Sequence, residues 1–156
     1  MFLILHNIRS VHNVGSIFRT ADAAGVEKIY LAGVTPTPLD RFGRKRKDLA
    51  KVALGAEEFL SWEYKKSLSA LISALKKDGY EIVALEQSTR AIDYRKFKIK
   101  NSAKNKIALI LGEETKGVPK NILDKCDTII EIPMRGRKES LNVSVATGIA
   151  LFRIIR

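Results

Sequence analysis

The chain has 156 residues, of which 46% are hydrophobic and 29% charged, a balance that excludes a disordered polypeptide and suits one globular domain able to bury roughly 68–70% of its unfolded surface. Lys plus Arg number 28 against 17 Asp plus Glu, a net charge of +11, which favours a polyanionic partner such as RNA or DNA, or an anionic membrane surface. The single Cys126 excludes an intrachain disulfide and, with only two His, offers no recognisable zinc pattern.

Met1 to Leu5 is apolar but lacks a basic leader and a cleavage site, and no 18-residue apolar run follows. The expectation is a cytoplasmic protein without a spanning segment, built as a single domain over residues 1–156 with no accessory RNA-binding domain. Phe2 to His6 reads as a buried first strand. A polar loop, Asn7 to Gly15, follows, and Asn13 is the expected cap of a helix whose Val14, Ile17, Phe18, Ala21 and Ala24 keep helical spacing until Gly25. Arg19 lies on the first turns of that helix.

Glu27 to Ala32 predicts a second strand. Gly33 to Asp48 reads as irregular, and Pro36 and Pro38 exclude a helix through 35 to 38. It carries Arg41, Arg44, Lys45, Arg46 and Lys47 around Phe42 and Gly43, a set able to grip phosphates and stack on a base. Glu57 to Tyr64 reads as a third strand or extended segment. Ser67 then caps a helix with Leu68, Leu71, Ile72 and Leu75 on one face, closed by Gly79.

Tyr80 to Leu85 is the fourth strand, followed by the polar run Glu86-Gln87-Ser88-Thr89, and residues 95 to 106 are rich in lysine. Ile107 to Leu111 is continuously apolar, as strands buried on both faces of a parallel sheet are. It runs into Gly112-Glu113-Glu114-Thr115-Lys116-Gly117, where two glycines let a ligand approach the backbone. The spacing is not that of a P-loop, and no G-x-G-x-x-G follows a strand, so nucleotide hydrolysis and nicotinamide chemistry are poorly supported. Pro119 opens a short helix to Cys126.

The third polar stretch follows a strand from Thr128 to Ile132, which Pro133 stops for want of an N–H. Gly136 between Arg135 and Arg137 predicts a tight turn. Ser140 and Asn142 suit a helix N-terminus. Polar donors beside a strand end mark a ligand site in open α/β sheets. The last helix, about Leu141 to Ile155, is apolar nearly all round and therefore needs cover on several sides, which favours a subunit interface. Alternating strands and helices predict an α/β sandwich with a mainly parallel sheet flanked by helices.

Three segments together resemble the motifs of the SpoU, or TrmH-like, RNA ribose 2′-O-methyltransferases of the SPOUT superfamily: Asn13 to Gly25, Leu111 to Val118, and Ile132 to Met134 with Ser140 to Ala146. The resemblance implies a C-terminal trefoil knot holding S-adenosylmethionine in a bent form, with cofactor contacts at Leu85, Gly112, Ile132, Met134 and Leu141. It also implies a homodimer packed through the first and last helices, with an active site composed from both subunits. Arg19 would be the central catalytic residue, with Asn13, Glu114, Ser140 and Asn142 positioning it, the RNA phosphate and the ribose. No metal or covalent intermediate is required. RNA, whether tRNA or rRNA, is expected on Arg9, on Arg41 and Arg44 to Lys47, on the lysines near 96 to 106, and on Arg135, Arg137 and Lys138. The competing class is a noncatalytic RNA-binding or ribosome-assembly factor with this fold. The intact set of five polar residues argues against it, and the Ser-Leu-Asn wording disfavours methylation of a base.

Overall fold

The computed structural model describes residues 1–99 and 106–155. Lys100 and Lys104, among the cations expected to meet RNA, lie outside the described residues.

Among the described residues, seven parallel strands form one sheet: β1 (Phe2–His6), β2 (Lys28–Ala32), β3 (Ser61–Lys65), β4 (Glu81–Leu85), β5 (Ile92–Asp93), β6 (Ile107–Leu111) and β7 (Thr128–Glu131). Their spatial order is β3-β2-β1-β6-β4-β7-β5. The strand with five consecutive apolar residues, β6, is buried along its whole length between β1 and β4. A parallel strand covered on both faces has no solvent side to make polar, which is why its sequence does not alternate.

Alternation is instead visible in which layer each residue serves. Leu3, Leu5, Leu109 and Leu111 face one core with Val14, Ile17, Phe18 and Ala21 of α1 (Val11–Ala24) and Ala150, Leu151 and Ile154 of α6 (Val143–Ile154). Ile4, Ala108 and Ile110 face the other, against Leu68, Leu71, Ile72 and Leu75 of α4 (Leu68–Lys77) and Ile122 of α5 (Lys120–Leu123). The side-chain period of two along each strand thus yields a three-layer sandwich, as predicted. Each fully buried Leu or Ile contributes about 1.5–3 kcal/mol by leaving water.

Several boundaries differ from the sequence reading. α1 begins three residues early, with the Ser10 hydroxyl accepting from Asn13 N at 3.2 Å. Ser10 is as good a cap as Asn13, and Val11 extends the apolar face back by one turn. Glu57 to Tyr64 is not one extended segment. Its first half is α3 (Ala56–Phe59), with Glu57 and Glu58 in the first turn where the helix dipole favours anions, and only Ser61 onward is strand. The irregular stretch gives way to α2 (Lys47–Ala53). At the C-terminal end, Asn142 caps α6 by accepting from Ser144 N at 2.9 Å, so that helix starts at Val143 rather than Leu141.

Candidate active site

Because all strands run the same way, the loops after β4, β6 and β7 emerge together at the carboxyl edge of the sheet, where α/β proteins bind ligands. Two glycines let them interlock. Gly117 adopts φ +65°, and it and Glu113 exchange backbone hydrogen bonds of 2.8 and 3.2 Å that close the loop after β6. A Cβ on Gly112 would sit 2.2 Å from the Gly117 carbonyl carbon. Across the gap, the Glu86 carboxylate accepts from Val118 N at 2.7 Å and Gln87 N at 2.9 Å, and it presses so close that a Cβ on Gly117 would lie 2.0 Å from Oε2. Gln87 Nε2 in turn donates to Glu139 O at 2.5 Å, tying the loop after β4 to the one after β7.

These loops enclose a cavity of about 550 Å³, within the range of small-molecule sites. Leu85, Gly112, Ile132, Met134 and Leu141 all line it, as do Glu114, Ser140 and Asn142. Glu86, Glu113, Glu131 and Glu139 share the lining with one lysine, Lys116, so the wall is predominantly anionic and suits a ligand carrying positive charge.

Beside the cavity, the first helix joins the site through Glu114. Its carboxylate accepts from the backbone N–H groups of Arg9 and Ser10, each at 3.1 Å, and from Asn13 Nδ2 at 3.0 Å. Asn13 Oδ1 then accepts from Asn142 Nδ2 at 3.1 Å, and Asn142 Oδ1 holds the Ser144 hydroxyl at 2.6 Å. Partial burial pushes the Glu114 pKa up, but the bonds from Asn13, Arg9 and Ser10 outweigh it and hold the carboxyl below its ordinary value. Glu114 is therefore an ionised acceptor at neutral pH.

A model of the SpoU rRNA Methylase family matches residues 1–152. The chain belongs to this family. Over 156 residues the SpoU chain is 33% identical to the 23S rRNA (guanosine-2′-O-)-methyltransferase RlmB of Ralstonia nicotianae, covering 100% of itself and 58% of that relative. Its fold superposes on an AdoMet-bound rRNA methyltransferase from Sinorhizobium meliloti with a TM-score of 0.84 at 28% identity, covering 98% of this chain and 54% of that one. A structure described as giving insights into 2-OH methylation of C/U34 on tRNA aligns with a TM-score of 0.79 at 25% identity, covering 98% and 92%.

Within the SpoU domain, Arg19 stands apart from the other four predicted catalytic residues. It is exposed and does not line the cavity. Six residues beyond Asn13 on one helix, it projects about 120° away from the Asn13 direction and lies about 9 Å further along the axis. Arg135, Arg137 and Lys138 are exposed on the loop after β7, whereas Arg9 donates Nε to Glu113 at 3.1 Å. Gly136 has no positive φ and nothing within 4 Å of a built Cβ, so the tight turn expected there is an open bend. Three of the five cations at 41–47 are in ion pairs: Arg44 with Asp40, Lys45 with Glu58 and Arg46 with Asp48. Exposed pairs of this kind are worth about 0–1 kcal/mol and yield readily to a polyanion. Glu86, Gln87 and Ser10 were not singled out from the sequence; the polar run directly after an apolar strand was the available signal for the first two.

Proposed function

We propose that this SpoU domain transfers a methyl group from S-adenosylmethionine to a ribose 2′-hydroxyl of tRNA or rRNA. The observation that carries the reading is the chain Glu114–Asn13–Asn142, assembled from all three motifs at the mouth of an anionic cavity lined by every residue expected to meet the cofactor. Leu85, Gly112, Ile132, Met134 and Leu141 would hold the cofactor, whose cationic sulfonium supplies an electrophilic methyl group when bound. The glutamate-rich wall fits that charge, and the volume fits a nucleoside with a side chain. The knot implied by the resemblance belongs to this reading, supported by the mutual clamping of the three loops through Glu86, Gln87 and Gly117.

The chain's own contribution is placement. A well-oriented nucleophile and electrophile gain on the order of 7–11 kcal/mol over free reactants. Ser140, Asn142 and Asn13 offer donors and acceptors for a ribose. Glu114 orients Asn13, and through it Asn142, as a fixed acceptor, because a carboxylate with a lowered pKa is a weak base. The Arg19 guanidinium, a planar cation with five N–H donors and no acceptor, serves to hold a phosphate and stabilise charge.

Arg19 reaches a cavity only through a homodimer in this reading. Support comes from α6, whose Val145 and Phe152 are 52% and 61% exposed on one face beside partly buried Ile149. That face adjoins α1, since a Cβ on Gly148 would lie 3.5 Å from Thr20 Cγ2. Pairing α1 and α6 of two subunits covers the apolar strip and brings Arg19 to the partner's cavity. Labelled S-adenosylmethionine, incubated with undermodified tRNA and rRNA pools and followed by nucleoside mass analysis, is expected to give a 2′-O-methylnucleoside. Cofactor binding without transfer to either pool would favour the noncatalytic RNA-binding reading.

A further inference from the structure

We infer that the turn from Leu39 to Lys45 is a preformed tip on which Phe42 stacks an unpaired base of the RNA, an inference that rests on the RNA-methyltransferase reading. The turn is built to one geometry. Asp40 N donates to Arg44 O at 2.8 Å and Gly43 N to Asp40 O at 2.9 Å, Leu39 and Lys45 form an antiparallel bridge, and Gly43 takes φ +76°. This is the three-residue hairpin in which glycine at the left-handed position completes the turn. The Asp40 carboxylate braces it from inside, accepting from Phe42 N, Arg44 N and Arg44 Nε at 2.8–3.0 Å.

Phe42 contributes little to packing, because the residue is 64% exposed at the tip. Its near neighbours are cations, with the Arg41 and Arg44 guanidinium carbons 4.7 and 5.0 Å from the ring centroid. Arg44 is anchored to Asp40, but Arg41 makes no hydrogen bond or ion pair among the described residues and is free to leave the ring. A base can then take its place on the ring while Arg41 pairs with the neighbouring phosphate. Aromatic faces rimmed by arginine are how single-stranded RNA is gripped without reading its sequence.

The segment that carries the tip leaves the sheet at the same carboxyl edge as the cavity loops. It follows β2, and the carboxyl end of β2 is linked to that of β1 by Val34 N donating to Asn7 Oδ1 at 3.1 Å. β2 lies two strands from β6, or about 10 Å at ordinary strand spacing. Charge complementarity selects RNA over a second basic copy of a chain carrying +11.

The test measures wild type, F42A, F42W and R41A against a fluorescent 12-nucleotide single-stranded RNA and the same sequence as a duplex, across a salt series. Phe42→Ala is expected to weaken single-strand binding on the order of ten-fold with an unchanged salt slope, and duplex binding little. Phe42→Trp restores affinity, and its added indole emission is quenched by the RNA. Arg41→Ala lowers the slope by about 0.7, one phosphate's share. Equal single-strand affinity for F42A and wild type overturns the stacking role while leaving the methyltransferase reading intact. A wild-type chain that binds S-adenosylhomocysteine but neither RNA overturns both. Light scattering that finds F42A altered in subunit number, with RNA affinity unchanged, reassigns the tip to self-association and overturns the inference.

Discussion

Asn142 donates its side-chain amide to the Asn13 carbonyl oxygen at 3.1 Å, joining residues 129 positions apart in the chain. Each asparagine also makes a second bond, Asn142 capping α6 and Asn13 donating to Glu114. The pair therefore fixes the relative position of two helix starts and the loop after β6. Asn13→Ala removes both of its side-chain bonds, and at about 0.5–1.5 kcal/mol each the expected loss in methyl transfer is roughly 10- to 100-fold. Because Asn13 does not line the cavity, S-adenosylhomocysteine affinity should change much less. Single-turnover assays and calorimetry on the same preparation separate the two.

Glu114 predicts a pH signature. Burial raises its pKa, the bonds from Asn13 and the Arg9 and Ser10 N–H groups lower it further, and the net shift is downward. A carboxyl with a depressed folded pKa contributes stability that is present above its unfolded value, about 4.3, and is lost as pH falls through the lower folded value. Glu114→Gln is expected to melt below wild type near pH 7, with the gap closing below about pH 4. A gap in melting temperature that is constant from pH 7 to pH 3 would show that ionisation of Glu114 contributes nothing.

The architecture was legible in residues whose period answers directly to burial. Ile107 to Leu111 announced a doubly covered strand, and Leu68, Leu71, Ile72 and Leu75 a helix face. The cavity residues were legible through the motifs rather than through physics. What sequence hid were choices between equivalent local options settled by distant contacts. Ser10 and Asn13 both suit a helix cap; Ser10 takes the role because the amide of Asn13 is held by Glu114 and Asn142. Glu86 was hidden for the same reason, since its partners, Val118 N and the bare Cα of Gly117, lie some thirty residues on.

The glycines of the loop after β6 offer a stability test with an internal control. A Cβ at Gly112 meets the Gly117 backbone at 2.2–2.4 Å, and one at Gly117 meets both Glu86 and an unfavourable φ of +65°. Backbone cannot step aside as a flexible side chain can, so Gly112→Ala should cost about 1–3 kcal/mol or more by overpacking, a fall of roughly 3–10 °C in Tm. Cofactor affinity should fall with it. Gly136→Ala, at a position with open space and ordinary φ, should stay within about 0.5 kcal/mol of wild type. Thermal melts of both variants with and without S-adenosylhomocysteine check the contrast.

Arg19 supplies the sharpest test of the dimeric reading. Arg19→Ala should keep cofactor affinity, since the side chain does not line its own subunit's cavity, and lose methyl transfer. Phe152→Glu places a charge on the exposed apolar face of α6 and should give a monomer by light scattering that is equally inactive, because no partner then delivers Arg19. Mixing settles the geometry. Arg19→Ala subunits retain an intact cavity, and Asn142→Ala subunits retain an intact Arg19. If Arg19 acts on the partner's cavity, refolding equal amounts together forms heterodimers with one sound site, recovering about a quarter of wild-type activity from two inactive parents. If Arg19 acts within its own subunit, every site in the mixture lacks one of the two residues and no activity returns.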